Sequence, residues 1–244
     1  MTGLTILPVE GIPEIRPGDD LAHVIATTAD VRDGDVVVVA QKVVSKAEGR
    51  LRRLRDVEPG DAARRLAARL ERDPRMVQVV LDESVRIVRD ERALIVETRA
   101  GYVCANAGVD QSNVPGDDAV VLLPVDCDRS AAELRDRLRE LTGRHVGVIV
   151  ADTFGRPWRA GIANVALGVS GIASVVDHRG LPDDFGREMH ATVIAVADEL
   201  ASSAELVMGK TRRVPVVLVR GYVDEGAPGT GRELIRPAEQ DLFR

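Results

Sequence analysis

Three stretches of this 244-residue chain place oxygen, amide and ammonium side chains close together. The first is Asp152-Thr153-Phe154-Gly155-Arg156-Pro157-Trp158-Arg159, which follows the apolar run Val146–Val150 and Ala151. An apolar strand ending in an acid sets that carboxylate at the mouth of a sheet, where α/β proteins hold their ligands. Asp152 offers a hard carboxylate oxygen and Thr153 a hydroxyl, donors that Mg²⁺ or Mn²⁺ prefers beside nucleotide phosphates. Arg156 and Arg159 have the planar fork that grips anionic oxygens in pairs. The plainer alternative is a turn in which the aspartate caps local N–H groups and the arginines are solvated. In the second stretch, Gly101 to Val114, Asp110 and Asn113 flank Gln111-Ser112 as in a ligand-lining loop. An Asx turn joining two strands would have the same composition.

The third stretch, Gln41 to Gly49, directly follows the apolar run Val36–Ala40. It holds Lys42 and Lys46, and of the 33 basic residues in the chain only these two and Lys210 are lysine. A lysine retained among so many arginines can present a compact ammonium where a guanidinium does not fit, as against a phosphate. Chance retention is the alternative. Read as the end of a strand, alternation turns Lys42 away from the face of Gln41. The stretch is not a Walker A loop, because GxxxxGK[ST] occurs nowhere in the chain.

Other chemistries find little support. The four histidines are scattered, and only His178 stands among turn residues. Gly161, Gly168 and Gly171 lack dinucleotide-fingerprint spacing, and no Gly-x-Ser-x-Gly elbow is present. Cys104 and Cys127 have neither metal-ligand nor disulfide-framework spacing and read as small buried hydrophobes in a reducing compartment. A formal charge of −6, from 33 basic and 39 acidic residues, argues against bulk binding to nucleic acid or membrane surfaces. An aromatic share of 2% leaves no stacking platform for single strands. No apolar run is long enough to span a bilayer and the first residues do not resemble a signal peptide, so a cytoplasmic location is the expectation.

The elements that must position these residues alternate between strand and helix. A helix is expected from Asp19-Asp20 to about Thr28, a buried strand at Val36–Ala40 and an amphipathic helix over 61–72. Strands follow at Val77–Leu81, Val85–Val88, Leu94–Thr98 and Val120–Leu123. Ser130, with Glu133 at capping-box spacing, predicts a helix over Ala131–Leu141 that Gly143 ends. The strand Val146–Val150, a helix over Thr192–Glu205 and a strand at Val214–Val219 complete the pattern. The Gly/Pro-rich tail from Asp224 carries Leu234, Ile235, Leu242 and Phe243, and packing across a two-fold interface is the expected fate of those side chains. Folding back on its own subunit is the alternative. The class is mixed α/β (α+β), one compact unit over residues 1–244 that could divide into two lobes.

Six segments together resemble one family: LPVEGIPEIRPGDDL, DGDVVVVAQKVVSKAEGR, GYVCANAGVDQSNV, ADTFGRPWRAGIANVALG, AVADELASSAELVMGK and PVVLVRGY. These are similar to the coenzyme F420:γ-glutamyl ligases and to the amino-terminal ligase domain of two-domain actinobacterial enzymes. The resemblance implies an unusual α/β ligase fold with mixed sheets, assembled as an intertwined homodimer. It also implies an amide ligase that joins L-glutamate to the terminal carboxylate of the 5-deazaflavin coenzyme, cleaves GTP to GDP and extends a γ-linked tail. Residue by residue, the family pattern puts GTP on Ile12, Pro13, Glu14 and Ile15, on Gln41, Lys46 and Asn113, and near Met208, Gly209 and Lys210. It puts a first divalent ion, Mg²⁺ or Mn²⁺, on Asp110 and Asp152 and a second beside Thr153. Some relatives carry an amide or acid near position 210 that can help to hold the second ion, whereas a protonated Lys210 cannot. The implied mechanism runs through an acyl phosphate, with Asp110, Asp152 and Lys46 as the catalytic set. A metal-dependent phosphohydrolase and a non-catalytic nucleotide-binding module are the competing readings. The first would release phosphate without glutamate, and the second would turn nothing over.

Overall fold

The computed structural model describes residues 3–112 and 118–241, so Asn113, Leu242 and Phe243 lie outside the described residues. The chain begins with β1 (Thr5–Pro8), α1 (Leu21–Thr28), β2 (Val36–Ala40), α2 (Gln41–Ala47), β3 (Leu51–Arg53), α3 (Asp61–Leu70) and α4 (Pro74–Asp82). It continues with β4 (Ser84–Arg89), β5 (Ile95–Thr98), β6 (Val103–Ala105), β7 (Ala119–Val121) and α5 (Cys127–Thr142). The remainder forms β8 (Gly147–Arg156), β9 (Arg159–Ser170), β10 (Val176–Asp177), β11 (Val193–Ile194), α6 (Val196–Met208) and β12 (Val216–Arg220). The class is mixed α/β, with sheets of mixed orientation.

The central sheet has the order β1-β12-β2-β8-β9, and β2–β8 is its one parallel pairing. Val37 and Val39 of β2 face Leu21 and Ile25 of α1 and Leu134 and Leu138 of α5. Val36 and Val38 face Leu200, Ala204 and Met208 of α6. Burial on both faces explains why β2 reads as an unbroken valine run rather than an alternating one. A third cluster gathers Leu54, Val57, Ala63, Ala67, Val77, Val80, Val96, Val109 and Val120 around α3, α4 and the small sheets. Tyr102, Cys104, Leu123, Cys127 and Leu167 form a fourth, in which the Tyr102 hydroxyl donates to the Leu167 carbonyl at 2.6 Å.

Several expectations need correction. Val77–Leu81 is not a strand but the body of α4. Asp73 caps that helix by accepting from the Arg75 N–H at 2.8 Å, and Pro74 opens it, so cap chemistry outweighs the β-branched run. Helix α5 starts at Cys127, four residues early, because Asp126 rather than Ser130 accepts from the first turn, at the Arg129 N–H. Ser130 lies inside the helix, its hydroxyl on the Asp126 carbonyl and the Glu48 carboxylate. Gly143 does end α5, in the left-handed conformation with φ +69°. Residues 192–195 do not open α6, since Val193–Ile194 pairs with Val176–Asp177 instead. The strand expected to stop at Val150 continues to Arg156 and pairs with β9 along its length.

The segment of the tail from Asp224 to Ile235 packs against its own chain. The Asp224 carboxylate accepts from Ala173 N–H, Gly229 N–H donates to the Ile172 carbonyl at 2.9 Å, and Ile235 packs beside the fourth cluster. Asp128, in the first turn of α5, ties three segments together. Its carboxylate accepts from Val169 N–H at 2.9 Å and from Gly231 N–H at 2.6 Å. No helix among the described residues is long and apolar enough to cross a membrane.

The junction of α5 with β9 allows no side chain at Gly168, where a Cβ would stand 2.0 Å from the Cys127 carbonyl oxygen and 2.8 Å from the Asp128 nitrogen. Both neighbours are backbone, so relief requires moving a helix. Gly168→Ala is expected to cost about 3 kcal/mol or more. In thermal unfolding followed by circular dichroism that is a midpoint lowered by about 6 °C or more. An unchanged midpoint would show that α5 yields freely.

Candidate functional site

One register brings the candidate residues to one end of the sheet. Ala40 pairs with Ala151 in the parallel β2–β8 ladder, so Gln41 and Asp152 follow from the same level. β12 runs antiparallel to β2, so the segment that leads into it, after Lys210, arrives at this end as well. The β8–β9 register shifts between Val150 and Ala151, directly before Asp152. Such breaks re-aim side chains next to functional sites.

Gln41 does not end a strand. It is the first residue of α2, with Ala40 as its N-cap and no turn between strand and helix. Lys42 and Lys46 are therefore one helical turn apart, and strand alternation does not govern where Lys42 points. Lys42 Nζ lies 2.6 Å from Asp110 Oδ2 and donates to Ser112 Oγ at 2.6 Å. Lys46 is 5% exposed, and its ammonium meets the largely exposed Glu14 carboxylate at 2.5 Å. That pair holds the loop Ile12-Pro13-Glu14-Ile15 against α2, while Ile15 is buried in the core behind it. Gln41 is 1% exposed, and its Oε1 accepts from the Ser45 hydroxyl at 2.9 Å. Its Nε2 is buried with no hydrogen-bond partner. An orphaned buried donor fits an acceptor brought by a ligand.

Asp110 arrives from the other side of the site. Asn106, Ala107 and Gly108 take φ values of +53°, +54° and +70°, and this run of left-handed residues turns the chain out of β6 toward Asp110. Backbone bonds between Asp110 and Val121, at 3.1 and 2.9 Å, then hold it. Burial works to raise the Asp110 pKa, but the Lys42 hydrogen bond and the Ser112 amide and hydroxyl outweigh it and hold the carboxyl below its ordinary range. Asp152 behaves in the opposite way. Burial, with a smaller push from the Asp110 charge, raises it to about 6 against the Thr153 amide, Lys42 and Lys210. Ionising an acid whose folded pKa is raised costs stability as pH rises past its unfolded value near 4, in full above about 6. A cation shared by the two carboxylates would return that energy.

Thr153 sits opposite Asn164 on β9, and its hydroxyl donates to Asn164 Oδ1 at 2.7 Å. The Thr153 hydroxyl oxygen accepts from the Lys210 ammonium, which also pairs with Glu205 at 3.0 Å. Met208 is buried, and Gly209 caps α6 with φ +56° and delivers Lys210 to this position. Asp110 and Asp152 suit a hard divalent ion, which takes one or two carboxylates and completes its shell with water and phosphate oxygens. Among the described residues no group of three His, Cys, Asp or Glu converges to make an all-protein cage.

Other candidates stay apart. Arg156 and Arg159 face each other across the exposed end of the β8–β9 hairpin, where Arg156 donates to the Ala160 carbonyl. His178 lies in the β10–β11 hairpin, its N–H on the Thr192 carbonyl. Nothing in the sequence marks Glu205 or Asn164 as a ligand-handling residue, whereas Ser112 lies in the expected ligand-lining loop. Only the hairpin register could have pointed to Asn164.

A parallel-strand mouth lined by acids and ammonium groups is compatible with several phosphate-handling families, and sequence comparison decides among them. The family model for F420-0:gamma-glutamyl ligase matches residues 11–221. The chain belongs to this family. The coenzyme F420:L-glutamate ligase of Methanopyrus kandleri is 49% identical over 253 residues, covering 100% of both chains. The enzyme of the same name from Archaeoglobus fulgidus is 45% identical over 98% of this chain and 96% of its own. That from Methanothermobacter thermautotrophicus is 43% identical over 99% of each. For this F420-0:gamma-glutamyl ligase family member, the matched span takes in Ile12 through Lys210, and so every described candidate residue.

If the Gln41 amide is kept for a ligand rather than for the fold, removing it with its one partner should not weaken the fold. The double variant Gln41→Met, Ser45→Ala is expected to unfold at the wild-type midpoint or above it, by up to about 1 kcal/mol. In a thermal scan that is a rise of up to about 4 °C. A midpoint lowered by several degrees would make the amide a structural group.

Proposed function

We propose that this chain is a GTP-dependent coenzyme F420:L-glutamate ligase that works through an acyl phosphate and extends a γ-linked glutamate tail. One observation carries the reading. All three lysines of the chain stand at this end of the sheet, each against a carboxylate: Lys42 on Asp110, Lys46 on Glu14 and Lys210 on Glu205. Ammonium groups already gathered and oriented are what a polyphosphate needs, because their charge acts without reorganisation at the moment of transfer. The names of the relatives supply the substrates, and the acids and ammoniums supply a means of activation.

A carboxylate is a poor acyl donor. Here the terminal carboxylate of the coenzyme attacks the γ-phosphorus of GTP, GDP leaves, and an acyl phosphate forms. The α-amine of glutamate then attacks the acyl carbon and expels phosphate. In this reading the loop Ile12–Ile15, Gln41, Lys46 and Asn113 line the nucleotide, together with Met208, Gly209 and Lys210. The Gln41 Nε2 donates to a nucleotide oxygen, and Lys46 exchanges Glu14 for phosphate. Asp110 and Asp152 would hold a Mg²⁺ or Mn²⁺ ion, which supplies positive charge against the β- and γ-oxygens. Lys42 keeps Asp110 ionised and oriented for that role. A homodimer and a cytoplasmic setting belong to the same reading. In support of the first, Ile162 and Phe185 on the two long hairpins are 61% and 87% exposed, and in support of the second, both cysteines are buried and free.

Mass spectrometry of the deazaflavin product after incubation with GTP, Mn²⁺ and L-glutamate tests the reading. Glutamyl mass increments are expected, with phosphate released only when glutamate is present. Asp152→Asn is expected to lower the ligation rate about 10²-fold or more while leaving the thermal midpoint unchanged or higher. Phosphate release without glutamate would favour a phosphohydrolase. Ligation by Asp152→Asn at the wild-type rate under limiting metal would remove Asp152 from the site.

A further inference from the structure

The hydroxyl of Thr153 has its hydrogen bonds committed inside the protein. A threonine hydroxyl has one proton to give and two lone pairs. Its proton goes to Asn164 Oδ1 at 2.7 Å. Asn164 is 4% exposed, and its Nδ2 is turned toward the Met208 thioether at 3.8 Å, a weak acceptor that suits an N–H and leaves Oδ1 for the hydroxyl. The Thr153 oxygen is thereby fixed as an acceptor on its outer side, and there it receives the Lys210 ammonium.

Lys210 is not a loose surface lysine, although its side chain is 56% exposed. Gly209 ends α6 with φ +56°, its N–H on the Glu205 carbonyl at 3.1 Å, and this turn brings Lys210 back over the last turn of the helix. Glu205 Oε1 then holds the ammonium at 3.0 Å. The ammonium stands between a hydroxyl and a carboxylate, which is where oxygen ligands would hold a metal ion. A divalent ion on the remaining lone pair of Thr153 would have to sit against this like charge.

We infer that the Lys210 ammonium is the second cation of this site, built into the chain. The protein then takes up one divalent ion, at Asp110 and Asp152, where the family resemblance implies two. This rests on the nucleotide and metal reading given above. Asn164 acts as a positioning residue by orienting the Thr153 hydroxyl, and Glu205 by anchoring the ammonium.

The test is to count Mn²⁺ bound per chain, from the paramagnetic resonance signal of the free ion, with one equivalent of a non-hydrolysable GTP analogue present. The wild-type chain is expected to bind one ion. Lys210→Glu removes the ammonium and adds a carboxylate beside Glu205 and Thr153, and it is expected to bind two. Lys210→Gln, which supplies a neutral oxygen, should also gain the second ion, and circular dichroism checks that both variants are folded. Two ions in the wild type, or one in both variants, would overturn the inference. Asp152→Asn in the same titration separates the two layers of the argument. Loss of its ion upholds the Asp110–Asp152 reading, whereas an Asp152→Asn chain that still binds one ion as tightly would overturn that reading and the inference with it.

Discussion

The parallel pairing of β2 with β8 is the constraint on which the rest depends. With Ala40 level with Ala151, the residues that follow are Gln41 and Lys42, which leave β2 for α2, and Asp152 and Thr153, which β8 carries past the end of β2 in its pairing with β9. The antiparallel neighbour β12 brings Lys210 in at the same end. A slip of one residue would send every valine of β2 to the opposite core and would also separate the lysines from the aspartates. The two apolar cores that flank the sheet thus fix the register, and the register fixes the chemistry.

The site is assembled against local stability. Lys46 is buried with a partner that is itself largely in water, Gln41 has a buried amide without an acceptor, and Asp152 is held well above the ordinary carboxylate range. Each of these disfavours the ligand-free fold, and on the proposed reading each would be answered by a negatively charged ligand or by a cation. The scaffold compensates elsewhere. The Asp35 carboxylate, 1% exposed, takes two hydrogen bonds from Arg220 at 2.8 Å each at the other end of the sheet, and Asp128 stitches α5, β9 and the tail.

Much of this was legible in the residues. The valine run of β2, the acid after the apolar run Val146–Val150 and the rarity of lysine all mark segments that the fold brings to one end of the sheet. What was not legible depended on neighbours distant in sequence or on caps that outweigh composition. Gln41 reads as a strand end because nothing in AQKVV signals a helix that starts without a turn. Val77–Leu81 reads as a strand because its β-branched residues speak louder than Asp73-Pro74. Asn164 and Glu205 look like ordinary polar residues until the hairpin register and the end of α6 set them against Thr153 and Lys210. Of the tail's apolar residues, Leu234 and Ile235 pack on clusters of their own chain, a contact that depends on partners distant in sequence.

Backbone hydrogen exchange, compared with and without GTP and Mn²⁺, tests the central claim most directly, because it reads every segment at once. If the β2–β8 register assembles one nucleotide site, slowed exchange should appear together in 12–15, 41–46, 110–112, 152–154 and 208–210. The helices α3 and α4 should exchange as before. Slowing confined to α3 and α4 or to the 176–194 hairpin, or no slowing in any of the five segments, would contradict the account.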